Sequence, residues 1–176
     1  MSLNYILWGG VAVALVWAGG IYYRLIKLRA SIDDSWDDIS SILKLRVELT
    51  TRLITLFKKY VGTHHEALEQ IFLLRNEGIY ASPLDTEAQA FSSGALAKGL
   101  EEVFELAHTY PDLKKTPEFL EIQNALQKLE LKLQGLTQQY NELVVKYNQK
   151  CTLFPSSLIA QILRFSQKTL FYHSFS

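Results

Sequence analysis

The apolar and polar positions fall into two regimes. From Leu3 to Tyr23 the chain reads LNYILWGGVAVALVWAGGIYY, with no side chain that ionises near neutral pH. Asn4 is its only strongly polar residue. From Ile32 onward apolar residues return in steps of three and four: Ile32, Trp36, Ile39, Leu43, Val47, then Leu53, Leu56, Phe57 and Tyr60. That spacing draws one stripe along an amphipathic helix. Whether this helix restarts after the first run or continues it is open. If it restarts, Asp33, Asp34, Asp37 and Asp38 favour its N-terminal end electrostatically.

The same periodicity predicts the later elements. Gly62-Thr63 interrupts the chain, and Thr63 with Glu66 makes the S/T-x-x-E pairing in which each residue satisfies a free backbone N–H of the other. The helix that follows runs to about Tyr80, with Leu68, Ile71, Phe72 and Arg75 along it, and Gly78 to Pro83 ends it. Asp85 is a suitable N-cap for a third helix to about Tyr110, with Phe91, Leu96, Leu100, Val103, Phe104 and Ala107 facing inward. Pro111-Asp112 breaks the chain again. Thr116 caps the next helix, and Pro117 fits its first position, where a missing N–H costs nothing.

The most regular pattern follows. Phe119, Ile122, Leu126, Leu129, Leu133, Leu136, Tyr140, Leu143 and Tyr147 alternate steps of three and four, a heptad seam on a helix ~50 Å long. Beside it Gln127, Gln134, Asn141 and Asn148 repeat every seven residues. The column reads either as a solvated flank or as a face that contacts a neighbouring subunit. Phe154-Pro155 ends this helix. Ser156 or Ser157 caps a short last one carrying Leu158, Ile159, Ile162, Leu163 and Phe165. The tail Leu170, Phe171, Tyr172 and Phe175 either packs on the bundle or lies at a membrane surface.

The fold class this predicts is all-α, an N-terminal transmembrane helix followed by an antiparallel four-helix bundle of long helices. The main helices fall near 30–61, 63–80, 86–110 and 117–152, with short loops that favour antiparallel neighbours. Three segments result: an anchor at 1–24, a bundle at 25–155 and a C-terminal helix with aromatic tail at 156–176.

The first run reads as the anchor on length. A helix over Leu3 to Tyr23 spans roughly 30 Å, the thickness of a bilayer's hydrocarbon. Trp8, Trp17 and Tyr23 place amphipathic rings toward its ends. The competing readings are a buried core helix and a cleaved signal peptide. The latter expects a basic stretch ahead of a shorter apolar one, and Met1-Ser2 carries no charge. Arg24, Lys27 and Arg29 follow at once, and basic flanks stay on the cytoplasmic side. The expected topology is N-terminus out, bundle in the cytoplasm.

Composition narrows the function classes. Of 176 residues, 18 are basic and 18 acidic, so no basic surplus points to nucleic acid. Cys151 is the only cysteine, which excludes an internal disulfide and any paired-cysteine metal site. His65-Glu66 with Glu69 resembles half of a zinc-protease helix but lacks the second His and a visible third ligand. Glu105 and His108 form one E-x-x-H unit, where a di-iron bundle needs two and two further glutamates. Neither a phosphate-binding glycine loop nor a serine nucleophile motif is present. No metal, cofactor or catalytic residue is therefore expected.

An ordered set of short stretches resembles the LemA family of bacterial membrane proteins. They are the apolar N-terminal run, SWDDI at Ser35 to Ile39, the Leu43 to Tyr60 helix and HEALE at His65 to Glu69. After the Arg75 region come YPDLK at Tyr110 to Lys114, Phe119, Gln123 and Leu126. The set closes with the pairs Tyr140-Asn141 and Tyr147-Asn148, then Phe154-Pro155 and Ile159-Ala160. The chain departs from the family at three places. Leu45-Arg46 stands where a basic pair is usual, ELTTRL at Glu48 to Leu53 replaces a DLIPNL-like segment, and Thr137 replaces a basic residue. The resemblance implies a membrane-anchored helical bundle with a cytoplasmic domain, and no catalytic residues to carry over.

The expected function is a non-enzymatic, single-pass scaffold in the bacterial inner membrane, in contact with the lipid bilayer and self-associating or binding a membrane protein. An adaptor for a membrane protease or envelope signalling system is the alternative. An enzyme with an uncommon site is a third reading, for which no set of residues supplies the geometric roles.

Overall fold

The computed structural model describes residues 2–61, 66–80 and 85–172. At 2–7, 11, 14, 61, 66–68 and 77–80 it describes the helical backbone alone. The described residues form helices and no strands: α1 Ser2–Val61, α2 Glu66–Tyr80, α3 Thr86–Ala107, α4 Pro111–Lys114, α5 Pro117–Thr152 and α6 Ser156–Ile162. The Thr63 pairing, His65, Leu68, Pro83 and Phe175 fall outside the described residues or side chains, as does the side chain of Leu3.

α1 settles the question of a restart: it is one helix of 60 residues. Between Tyr23 and Val61 there is neither glycine nor proline, so nothing breaks the hydrogen-bond ladder. The four aspartates therefore lie in mid-helix, and the end-charge argument for them lapses. Several Ser and Thr hydroxyls of α1 bond back to carbonyls four residues earlier, among them Ser41 to Asp37, Thr50 to Arg46 and Thr51 to Val47. This is how the polar segment ELTTRL enters the core: Leu49, Thr50 and Leu53 are all buried.

The chain divides into two compact units, residues 1–35 with 140–170, and residues 36–139 with 171–176. In the second unit, Leu53, Phe57, Ile71, Leu100, Val103, Leu113, Phe119 and Ile122 build the main core. Phe119 stands edge-on to Phe57 and to Phe104, centroids 6.1 and 6.0 Å apart. The pairs Phe57–Phe119 and Arg46–Glu130 run α1 and α5 antiparallel. α2 meets α3 at Gly99, where a Cβ would lie 2.8 Å from Leu74 Cδ1, so the absent side chain is what lets Leu74 seat there.

Local signals set the helix ends. Asp85 Oδ1 accepts from the Glu87 and Ala88 amides, and Thr116 Oγ1 accepts from Phe119 N at 3.3 Å. α3 ends at Ala107, three residues earlier than the periodicity predicts, because the segment from Tyr110 to Lys115 turns into the extra helix α4, held by fully buried Leu113. α6 is not capped by Ser156 or Ser157. Pro155 holds the N-cap position without a side-chain bond, and Ser156 Oγ donates instead to Leu153 O. Its other end closes by two backbone bonds, Phe165 N to Ala160 O and Arg164 N to Gln161 O, around Arg164 at φ 54°.

Three apolar positions of the periodic pattern are not in the core. Phe91 is exposed because the buried face of α3 runs through Ser92, Ser93 and Leu96 beside it, and Tyr60 is exposed one residue from the end of α1. Phe72 is exposed too, its ring covered by the Arg75 and Lys58 cations at 4.9 and 5.7 Å. The seam of α5 also shifts. Phe119, Ile122, Leu126, Leu133, Tyr140 and Tyr147 are buried as predicted, but Leu129, Leu136 and Leu143 are only half-buried, and beside the last two Thr137 and Val144 are buried in their place. A helix of 3.6 residues per turn slips ~20° per heptad against a 3.5 repeat, so after two heptads the next position carries the stripe.

Candidate functional site

Two surfaces hold the residues the sequence singles out. The first is the N-terminal stretch of α1. Trp8, Val13, Leu15, Val16, Trp17, Tyr22 and Tyr23 are all exposed, Val16 by 79%. Gly9, Gly10, Gly19 and Gly20 have nothing within 4 Å of where a Cβ would stand. Among the described side chains, buried positions begin at Leu25, followed by Ile32 and Ser35. Arg24, Lys27 and Arg29 are exposed and ring the point where cover starts. Among the described residues this is the one helix long and apolar enough to cross a membrane. A bare apolar surface of this length is costly in water and costless in hydrocarbon.

The second surface is a groove of about 530 Å³ in the unit of residues 36–139. α3 lines it with Lys98, Glu101, Phe104, Glu105 and His108, and α5 with Gln123, Gln127 and Glu130. Arg46 of α1 reaches its inner wall although only 3% exposed. Its Nη2 lies 3.1 Å from Glu130 Oε2, and Nη1 donates to Ser93 O at 3.2 Å and Ser93 Oγ at 3.0 Å. Burial pulls its pKa below the ordinary arginine value, and the Glu130 carboxylate opposes that pull. Periodicity missed this residue because Arg46 sits among the apolar positions, three residues after Leu43 and next to Val47. The signal was there: a cation on a core face requires a partner.

Glu105 and His108 both line the groove. His108 Nδ1 lies 2.8 Å from Lys114 Nζ, and an ammonium only donates, so that nitrogen is the acceptor. Among the described residues no three acidic, histidine or cysteine side chains gather around one point.

The amide column of α5 divides. Gln127 and Gln134 are exposed, and Gln127 borders the groove. Asn141 and Asn148 are half-buried. Asn148 is engaged on both sides of its amide by the chain's own return segment: Nδ2 donates to Lys168 O and Oδ1 accepts from Lys168 N, each at 2.9 Å. Tyr140 Oη donates to Thr169 O at 3.1 Å, and Lys168 Nζ pairs with Asp33 at 3.0 Å. Phe171 is fully buried and stands edge-on to Trp36, centroids 5.5 Å apart. The tail therefore packs on the helices through Phe171, while Tyr172 stays exposed.

Cys151 is buried and its thiol is pushed up by that burial, against a smaller opposite effect of the hydrogen bond with Tyr147. Tyr147 is 1% exposed. Burial first, then the charge and hydrogen bond of Cys151, raise the Tyr147 phenol to about 12.

No curated protein matches the sequence significantly. A family model does match, over residues 35–174, which takes in all of α2 to α6 and the buried part of α1 from Ser35. With the all-helical fold, the continuous α1 and a match over most of its length, the chain belongs to the LemA family.

Proposed function

We propose that the chain is a non-enzymatic, single-pass membrane protein of the bacterial inner membrane that presents its helical bundle for assembly or partner binding. The observation that carries this reading is the bare apolar stretch of α1 from Trp8 to Tyr23. The basic residues Arg24, Lys27 and Arg29 after it favour N-terminus out and bundle in the cytoplasm. Anchoring confines copies to two dimensions, where weak lateral contacts suffice for assembly. Gln127 and Gln134, exposed on α5, are the amides left to form such a contact.

The groove favours a second reading, an adaptor for a membrane protease or envelope signalling protein. It is open and mixed in charge, lined by Lys98, Glu101 and Glu105 as well as by the Arg46–Glu130 pair and by His108, which Lys114 meets. Photo-crosslinkers at Gln134 and at Glu101 in intact membranes separate the two. A ladder of self-adducts from Gln134 supports the scaffold. One dominant heterologous adduct from Glu101 supports the adaptor and sinks the scaffold. Protease digestion of spheroplasts tests orientation, since a bundle cut from outside reverses it.

A further inference from the structure

The corner between α5 and α6 exposes five large apolar side chains: Leu153, Phe154, Leu158, Ile162 and Leu163, with Phe154 at 79% and Ile162 at 77%. It belongs to the same compact unit as the apolar stretch of α1. Its level along α1 follows from three contacts within that unit. Tyr147 of α5 lies near enough to Arg29 and Asp33 for their charges to act on its phenol. Phe165, just past α6, has its ring 6.2 Å from that of Tyr22. Lys168 then returns to Asp33 at 3.0 Å. α5 thus runs toward the apolar stretch, and from Tyr147 to Thr152 it advances ~7 Å further. The corner and α6 lie at the level where α1 passes from bare Tyr22 to covered Leu25.

We propose that this corner is a second lipid contact, in which Phe154, Leu158 and Ile162 dip into the headgroup boundary of the leaflet that α1 leaves. The inference rests on α1 being a membrane anchor. The exposed apolar residues stand at the level where the bare surface of α1 ends, and Arg24, Lys27 and Arg164, near that level in the chain, are exposed to meet anionic headgroups. α6 buries only Ala160, leaves Ile159 half-covered, and turns Leu158 and Ile162 outward. A short helix in this position fixes the rotation and depth of the anchor in a way that one straight helix does not.

The test is depth-resolved quenching with the full chain in phosphatidylethanolamine–phosphatidylglycerol vesicles. Single labels are placed through Ile162→Cys, Phe154→Cys, Val13→Cys and Asp34→Cys. Native Cys151 is buried, and the labelled wild type serves as the blank. The expected result is quenching of the Ile162 and Phe154 labels mainly by nitroxides at shallow acyl positions, and of the Val13 label mainly by deep ones. The Asp34 label, ~18 Å beyond Tyr22 along α1, stays unquenched. If the Val13 label is quenched and the two corner labels behave like Asp34, the corner does not meet lipid and the proposal fails while the anchor stands. If the Val13 label is also unquenched, the anchor reading fails and takes the proposal with it.

Discussion

Glu130→Gln is the sharpest probe of the groove wall. The substitution keeps an oxygen that accepts a hydrogen bond but removes the charge opposite Arg46. At the observed 3.1 Å and an effective dielectric constant of ~20, the attraction removed is roughly 5 kcal/mol. Part of that returns, because Glu130 no longer has to shed water. Its side chain keeps 32% of its surface exposed, so the desolvation regained is less than for a buried carboxylate. Arg46, at 3%, has no such route to water, and Ser93 supplies only neutral acceptors. Breaking a fully buried pair costs about 3–5 kcal/mol, and this half-exposed case falls at about 2–3 kcal/mol. The measurement is chemical unfolding of the detergent-solubilised full chain, followed by circular dichroism, in a cycle with Arg46→Met. In the Arg46→Met background no buried cation remains, so the cost of Glu130→Gln falls below about 0.5 kcal/mol. An equal cost in both backgrounds refutes the argument, since the loss would then not come from a stranded charge.

Three further outcomes follow from the same structure. Tyr147 is held protonated by the fold, so its share of stability is complete below about pH 10 and is lost as pH rises from 10 toward about 12, a fall of about 3 kcal/mol. Tyr147→Phe flattens that part of a stability-against-pH curve, and superimposable curves would refute it. Arg164 takes a left-handed conformation that closes α6, which costs a non-glycine residue about 1 kcal/mol. Arg164→Gly therefore raises the unfolding midpoint, and a lower midpoint would show that the side chain outweighs the strain. Phe171→Ala empties a fully buried site beside Trp36 and lowers stability by about 3–5 kcal/mol in the same unfolding experiment; an unchanged midpoint would mean that the tail does not pack.

What could be read from residues alone was whatever is decided within one or two helical turns. The length and neutrality of the run to Tyr23, the caps at Asp85 and Thr116, and Pro117 at the start of α5 all act on backbone groups a few residues away, so sequence order is enough to find them. The heptad of α5 was legible at its start for the same reason, and it slipped by Leu136 because the period of a straight helix is a property of the backbone. Pairings across long stretches of chain were decided only in three dimensions. Arg46 meets Ser93 and Glu130, far apart in sequence, and Asn148 is claimed by Lys168 of the tail, where the column reads as a solvated flank or a neighbour's contact. Which apolar residues of α6 face outward was likewise invisible, because on so short a helix the spacing of Leu158, Ile162 and Leu163 fits inward and outward faces equally. Burial is set by what lies opposite, and that is a fact about the fold.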